Sequence, residues 1–152
     1  MVRTIEQASG TQRTTLTSAE VAGVAGISLR QLQVWEEERV AVAGRLGRFR
    51  IYSLDQALFV VVLAELRQRG MSFQKLRHLA PQIRLTLNEW RAWELGQNRR
   101  LFLLTTGTKV YVADDPNKTC DLVSNIFKPL LCVNLAICME RVRNQCLRAN
   151  EE

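Results

Sequence analysis

Ala57-Leu-Phe-Val-Val-Val-Leu-Ala64 is an unbroken apolar run, opened by Ser53-Leu-Asp-Gln56 and followed by a polar stretch to Gly70. The opening tetrad has the spacing of a helix capping box and Gly70 is a stop signal, so the segment is expected to be a helix that is apolar on nearly every side. Such a helix is stable only when neighbours cover it all round, which makes it the buried spine of a globular fold. The run is far shorter than the roughly 20 residues that cross a bilayer, so no membrane partner is expected. The polar first fifteen residues lack the apolar core of about 7 to 15 residues that marks a secretory signal, which points to a cytoplasmic protein.

What precedes the spine sets its partners. Thr17-Ser-Ala-Glu20 is a capping box, and Val21, Val24 and Ala25 form a short helical stripe ending at Gly26. Ser28-Leu-Arg-Gln31 starts a second helix almost at once, so two helices meet at a tight glycine turn. The second is expected to carry Leu29, Leu32 and Trp35 inward and Arg30, Gln31, Gln33 and Val34 outward. Arg and Gln near the start of an exposed helix suit base edges, since Arg pairs with guanine and Gln with adenine in the major groove. Val40 to Val42 and Phe49-Arg-Ile-Tyr52 alternate as the strands of a half-buried hairpin would. Between them, Arg39 to Arg50 hold Arg39, Arg45, Arg48 and Arg50 and no acid. That local field suits a polyanion backbone; a solvated basic loop is the alternative. After the spine, Ser72 is expected to begin a short helix that stops before Pro81, and Thr86-Leu-Asn-Glu89 to cap another of about three turns ending at Gly96.

The order and separation of Thr17-Ser-Ala-Glu-Val-Ala22, Gly26-Ile-Ser28, Leu32-Gln-Val-Trp-Glu36, Arg48-Phe-Arg-Ile-Tyr-Ser53 and Arg69-Gly-Met-Ser-Phe73 resemble the DNA-binding domain of MerR-type bacterial transcription regulators. The resemblance covers about Leu16 to Leu79. It implies a winged helix-turn-helix with a two-helix extension, a recognition helix from Leu29 to about Glu38 in the major groove of double-stranded DNA, and a wing in which Arg50 and Tyr52 touch phosphate. It also implies a homodimer, a distorted promoter and RNA polymerase as a further partner. Thr17, Arg30, Gln31, Gln33, Arg39, Arg45, Arg48, Arg50 and Tyr52 are the candidate DNA-binding residues. The chain departs from the family where Gln33-Val34 replaces an arginine and an aromatic, and where Arg39-Val40 replaces a terminal Gly-Leu; Arg39 is then a candidate to supply the missing charge. The long dimerisation helix usual after this domain is interrupted by Pro81.

From Leu101 the period shortens. Leu101 to Thr105 and Lys109 to Ala113 flank Thr106-Gly107 as a β-hairpin would, a short helix with Leu122, Val123 and Ile126 follows, and Leu130 to Leu135 and Ala136 to Leu147 are expected to form a third strand and a closing helix. The fold class is therefore α+β. The expected parts are a flexible arm (1–15), the MerR-like domain (16–81), a connecting helix (82–98) and a small effector or dimerisation module (99–152). About 50 residues bury too little surface alone, so this module should lean on the first domain or on a second copy.

The second half offers candidates for effector binding or an interface without naming an effector. Trp90 and Trp93 either line a pocket or pack as aromatics at helical spacing do. Cys132, Cys138 and Cys146 are either a thiol sensor or inert buried cysteines. Asp114 and Asp115 form a solvated turn or hold a cation, and His78 is structural or solvent-facing. Arg3 and Arg13 belong to a frayed arm or enter a minor groove. The four cysteines include no Cys-x-x-Cys pair and His78 is the sole histidine, so no metal, cofactor, triad or other catalytic residue is expected. The leading expectation is a sequence-specific DNA-binding regulator. A protein-interaction adaptor and a thiol enzyme are the alternatives.

Overall fold

The structure is a computed structural model that describes residues 13–96, 99–125 and 130–151. Arg3, Ile126 and most of the expected arm lie outside the described residues. Among the described residues, the chain begins with strand β1 (Thr15–Thr17) and helices α1 (Ser18–Ala25) and α2 (Leu29–Glu37). Strands β2 (Gly44–Leu46) and β3 (Phe49–Ser53), helices α3 (Leu54–Gln68) and α4 (Phe73–Glu89), and a 3₁₀ turn (Ala92–Glu94) follow. Then come β4 (Phe102–Thr105), β5 (Val110–Ala113), α5 (Pro116–Asn125), β6 (Leu131–Asn134) and α6 (Leu135–Glu151). The fold is α+β, with two antiparallel sheets of order β1-β3-β2 and β5-β4-β6.

α3 is the spine that its apolar run predicts: every residue from Ala57 to Ala64 is buried, as is Leu66. Its opening is held by the Gln56 side chain, which accepts from the Ser53 amide at 3.0 Å. The α1–α2 turn is equally local in origin. Gly26 takes φ +73°, letting the Ile27 amide reach back to the Ala22 carbonyl at 3.0 Å. A Cβ at Gly26 would also sit 3.1 Å from Gln68 of α3, so glycine answers both the backbone and the packing there. Leu16 with Val21 at the start of α1, and Ile27 with Leu32 at the start of α2, occupy the paired positions of hydrophobic staples that fix how the chain enters each helix.

Several boundaries differ from expectation. β1 carries only three residues and no periodicity of its own, yet it pairs with β3, Thr17 opposite Ile51. The hairpin partner of β3 is Gly44–Leu46, while Val40 and Ala41 are buried where the chain leaves α2. Leu29 is 44% exposed, so the inward face of α2 is Leu32 and Trp35. Pro81 does not end a helix, and the separate connecting helix expected after it is absent: α4 runs through it, with Leu76, Leu79, Ala80, Ile83 and Leu87 buried in phase on both sides. Proline in a helix interior costs about 3 kcal/mol by removing one amide donor and crowding a carbonyl. Pro81 lies on the exposed side, and continuous burial of the apolar face offsets the penalty. Thr86 caps nothing; its hydroxyl donates to the Gln82 carbonyl at 2.8 Å within the helix. Trp90 is the C-cap of α4, and Trp93 sits in the 3₁₀ turn rather than on one helix with it.

The second half shares the core of the first. Leu95, Leu101, Leu103, Val133, Leu135, Cys138, Met139 and Val142 join the same buried cluster as Leu58, Leu63 and Leu66. α6 packs on α3 and α1, where Arg141 donates to Glu65 at 2.6 Å and also to the Val24 carbonyl. Arg69 at the end of α3 donates to the Cys132 carbonyl of β6. Met139 is fully buried at this seam. Met139→Ala should destabilise the protein by about 2 to 5 kcal/mol through lost burial and a residual cavity. Because the core is shared, the thermal melt should keep a single transition displaced to lower temperature; two separated transitions would contradict a common core.

Candidate nucleic-acid interface

Antiparallel pairing of β1 with β3 brings the start of α1 beside the β2–β3 hairpin, and the glycine turn then swings α2 across the same side. The result is an open groove of about 490 Å³ lined by Thr17, Ser18, Ala19, Leu29, Gln33, Arg45, Arg48, Phe49 and Arg50. Thr17 caps α1: its hydroxyl accepts from the Glu20 amide at 3.2 Å and its own amide donates to Glu20 at 2.9 Å. Arg13, expected on a frayed or minor-groove arm, instead donates to both Glu20 oxygens at 3.0 and 2.6 Å. Burial pushes the Glu20 carboxyl up, but the Thr17 amide and the Arg13 guanidinium outweigh it and hold the pKa below the usual carboxylate value.

α2 presents a polar outer face. Ser28 caps it by accepting from the Gln31 amide at 3.0 Å, Arg30, Gln33 and Val34 are exposed, and Gln31 is half-buried. The hairpin turns at Gly47, φ +62°, with Leu46 opposite Phe49 and Arg45 opposite Arg50. Phe49 is 75% and Leu46 67% exposed at its tip. Among the described residues, Arg30, Arg39, Arg45 and Arg48 are exposed and enter no salt bridge.

Two candidates are placed differently from the expectation of phosphate contact. Tyr52 is fully buried and its hydroxyl donates to Glu36 of α2. Burial first, and then the bond to Glu36 and its charge, push the phenol pKa far up, so Tyr52 is a neutral donor. Arg50 donates to the other Glu36 oxygen. Glu36 is not among the expected site residues. Its signal was available: one position after inward Trp35, it falls on the side of α2 that meets β3. The exposed Leu29 and Phe49 and the first-turn residues Ser18 and Ala19 were also missed, because only the β1–β3 pairing brings them together.

Arg39 has the most informative backbone. It adopts φ +60° immediately after the Glu38 C-cap of α2, while the Val40 amide closes onto the Trp35 carbonyl at 2.8 Å. This is the left-handed position that favours glycine and strains a side chain by about 1 to 2 kcal/mol. The strained residue is an exposed cation beside Arg45 and Arg50. Arg39→Gly should raise folding stability, by about 1 kcal/mol at most because glycine also gains entropy in the unfolded chain. It should simultaneously weaken polyanion binding. Denaturant midpoints and duplex titrations moving in the same direction would refute this opposition.

Elsewhere the candidates stay apart from the groove. Trp90 and Trp93 pack against the core, with the Arg91 guanidinium 5.9 Å from the Trp93 ring. His78 is exposed. Asp114 pairs with Lys118 at 2.7 Å, and Asp115 accepts from the Lys118 amide at 2.8 Å at the start of α5. Among the described residues His, Cys, Asp and Glu nowhere gather in threes as a metal site requires. The Cys138 thiol is buried, and burial followed by the Glu65 charge pushes its pKa up to about 12. Burial also raises those of Cys132 and Cys146. A thiol reagent at neutral pH should therefore label exposed Cys120 first and Cys138 only on unfolding. Prompt labelling of Cys138 in the folded protein would overturn this order.

No helix among the described residues is long and apolar enough to cross a membrane. No curated protein matches the chain. Residues 16–83 match the family described as MerR HTH family regulatory protein, and this stretch runs from within β1 through most of α4, with all the groove residues named above. Over this stretch, somewhat under half of the chain, the protein is thus similar to the helix-turn-helix of MerR-type regulatory proteins.

Proposed function

We propose that the protein is a sequence-specific transcription regulator that lays α2 in the major groove of a DNA duplex while Arg39, Arg45 and Arg48 neutralise flanking phosphates. One observation carries this reading: the α1 cap, Leu29 and Gln33 of α2 and two unpaired hairpin arginines border a single open groove. The Thr17-capped start of α1 supports it, because first-turn amides and the helix dipole favour an anion. Arg30, Gln31 and Gln33 are the base-reading candidates on α2. The exposed Leu29 and Phe49 are suited to apolar contact with thymine methyls or sugar edges.

The reading includes a homodimer, which would match the two-fold symmetry of paired half-sites. Leu85 on α4, 60% exposed, is an apolar side chain available to such an interface. RNA polymerase at the altered promoter is the partner that the family likeness suggests. The described second half, sharing the α3 core, is the place from which an effector could bias the DNA-binding half. A protein-interaction adaptor is the reading that salt-insensitive duplex binding, or none, would favour.

Fluorescence anisotropy with duplex DNA over a salt series tests the proposal. Affinity should fall steeply as salt rises, and Arg48→Ala should flatten the slope of log K against log salt by about 1. Arg30→Ala should cost about 1 to 3 kcal/mol at one base pair and relax the preference there. Unchanged site preference in Arg30→Ala would remove α2 from the reading role.

A further inference from the structure

Glu36 stands where the groove meets the hairpin. Its side chain is only 6% exposed, with Tyr52 donating to one carboxylate oxygen and Arg50 to the other. Together with Arg39, Arg45 and Arg50 it borders a second hollow, of about 300 Å³, adjoining the first. The β2–β3 register sets Arg45 directly opposite Arg50, and like charges in facing positions destabilise a ladder. A nearly buried carboxylate is tolerated only when paired and hydrogen-bonded, and these two partners meet that demand. The arrangement spends one cation on the protein itself. Glu38 points to a different partner, Arg77 at 3.1 Å, so the role is not shared along the acidic triplet.

We infer that Glu36 is a positioning residue that fixes the hairpin against α2 and withholds Arg50 from phosphate, so that sequence discrimination weighs more against general backbone attraction. The inference rests on the duplex-binding reading above and extends it from the groove to the residue that sets its specificity. Without the Glu36 charge, Arg50 is free to turn outward beside Arg45 and Arg48, and binding to any sequence gains a phosphate contact.

The test compares wild type, Glu36→Gln, Arg50→Ala, Arg48→Ala and the Glu36→Gln/Arg50→Ala double variant. Binding to duplexes of mixed sequence is followed over a salt series, with elution from immobilised heparin as a second polyanion readout. Glu36→Gln should tighten mixed-sequence binding several-fold and steepen the salt slope by about 0.9. Arg50→Ala should lose several-fold more affinity in the Glu36→Gln background than in the wild-type one, which a simple change of net charge would not produce. In the wild-type background Arg50→Ala should flatten the slope much less than Arg48→Ala. Additive effects, or equal flattening by Arg50→Ala and Arg48→Ala, would overturn the inference, and the latter comparison stands even if Glu36→Gln fails to fold. Absence of duplex binding by the wild type would instead defeat the regulator reading, while the heparin order of the same variants still decides the role of Glu36.

Discussion

The structure depends on α3 being apolar in every direction. A helix buried along Ala57–Ala64 has no face to give to water, so it must be roofed by other elements. α1 and β3 take one part of its surface, α4 another, and α6, β6 and the 3₁₀ turn the rest. This is why the residues after 99 are tied into the same core as the helix-turn-helix. It is also why α4 continues through Pro81, since breaking there would uncover Ile83 and Leu87. The cation–π contact of Arg84 over Phe59, at 4.6 Å, and its bond to the Val40 carbonyl at 3.1 Å extend the roof to the end of α2. The groove is thus held from behind by the same packing that keeps α3 dry.

On that support, the site is assembled from short-range chemistry. Capping by Thr17 and Ser28 fixes where α1 and α2 begin, and Gly26 fixes the angle between them. The hairpin is then locked to α2 by Glu36, which answers both Tyr52 and Arg50. Arg45 and Arg48 are left exposed along the groove. Beside them Arg39 keeps a left-handed backbone that favours glycine, with its cationic side chain exposed.

Much of this was legible in the sequence because its signals are local. Capping boxes, the Gly26 and Gly70 stops and the apolar run need only a few neighbouring residues to be recognised. The period-2 strands of the second half were equally readable, with β4 central and paired to both β5 and β6. What escaped depends on contacts distant in sequence. β1 is three residues long and is a strand only because β3 lies beside it. The inward turn of Tyr52 and Arg50 depends on Glu36, 16 and 14 residues away. Pro81 signals a helix end by propensity alone, and the buried face on both sides of it overrides that signal. Helical spacing alone turns Leu29 inward, whereas the β1–β3 pairing opens the groove that Leu29 lines.

The most direct test of the central claim is to titrate isotopically labelled protein with duplex DNA and follow the backbone amide resonances. The account predicts shifts concentrated at Thr17–Ala19, Leu29–Gln33 and Arg45–Arg50, three segments far apart in the chain that each contribute residues to one groove. Shifts confined to β4, β5 and β6, with these three segments undisturbed, would contradict it.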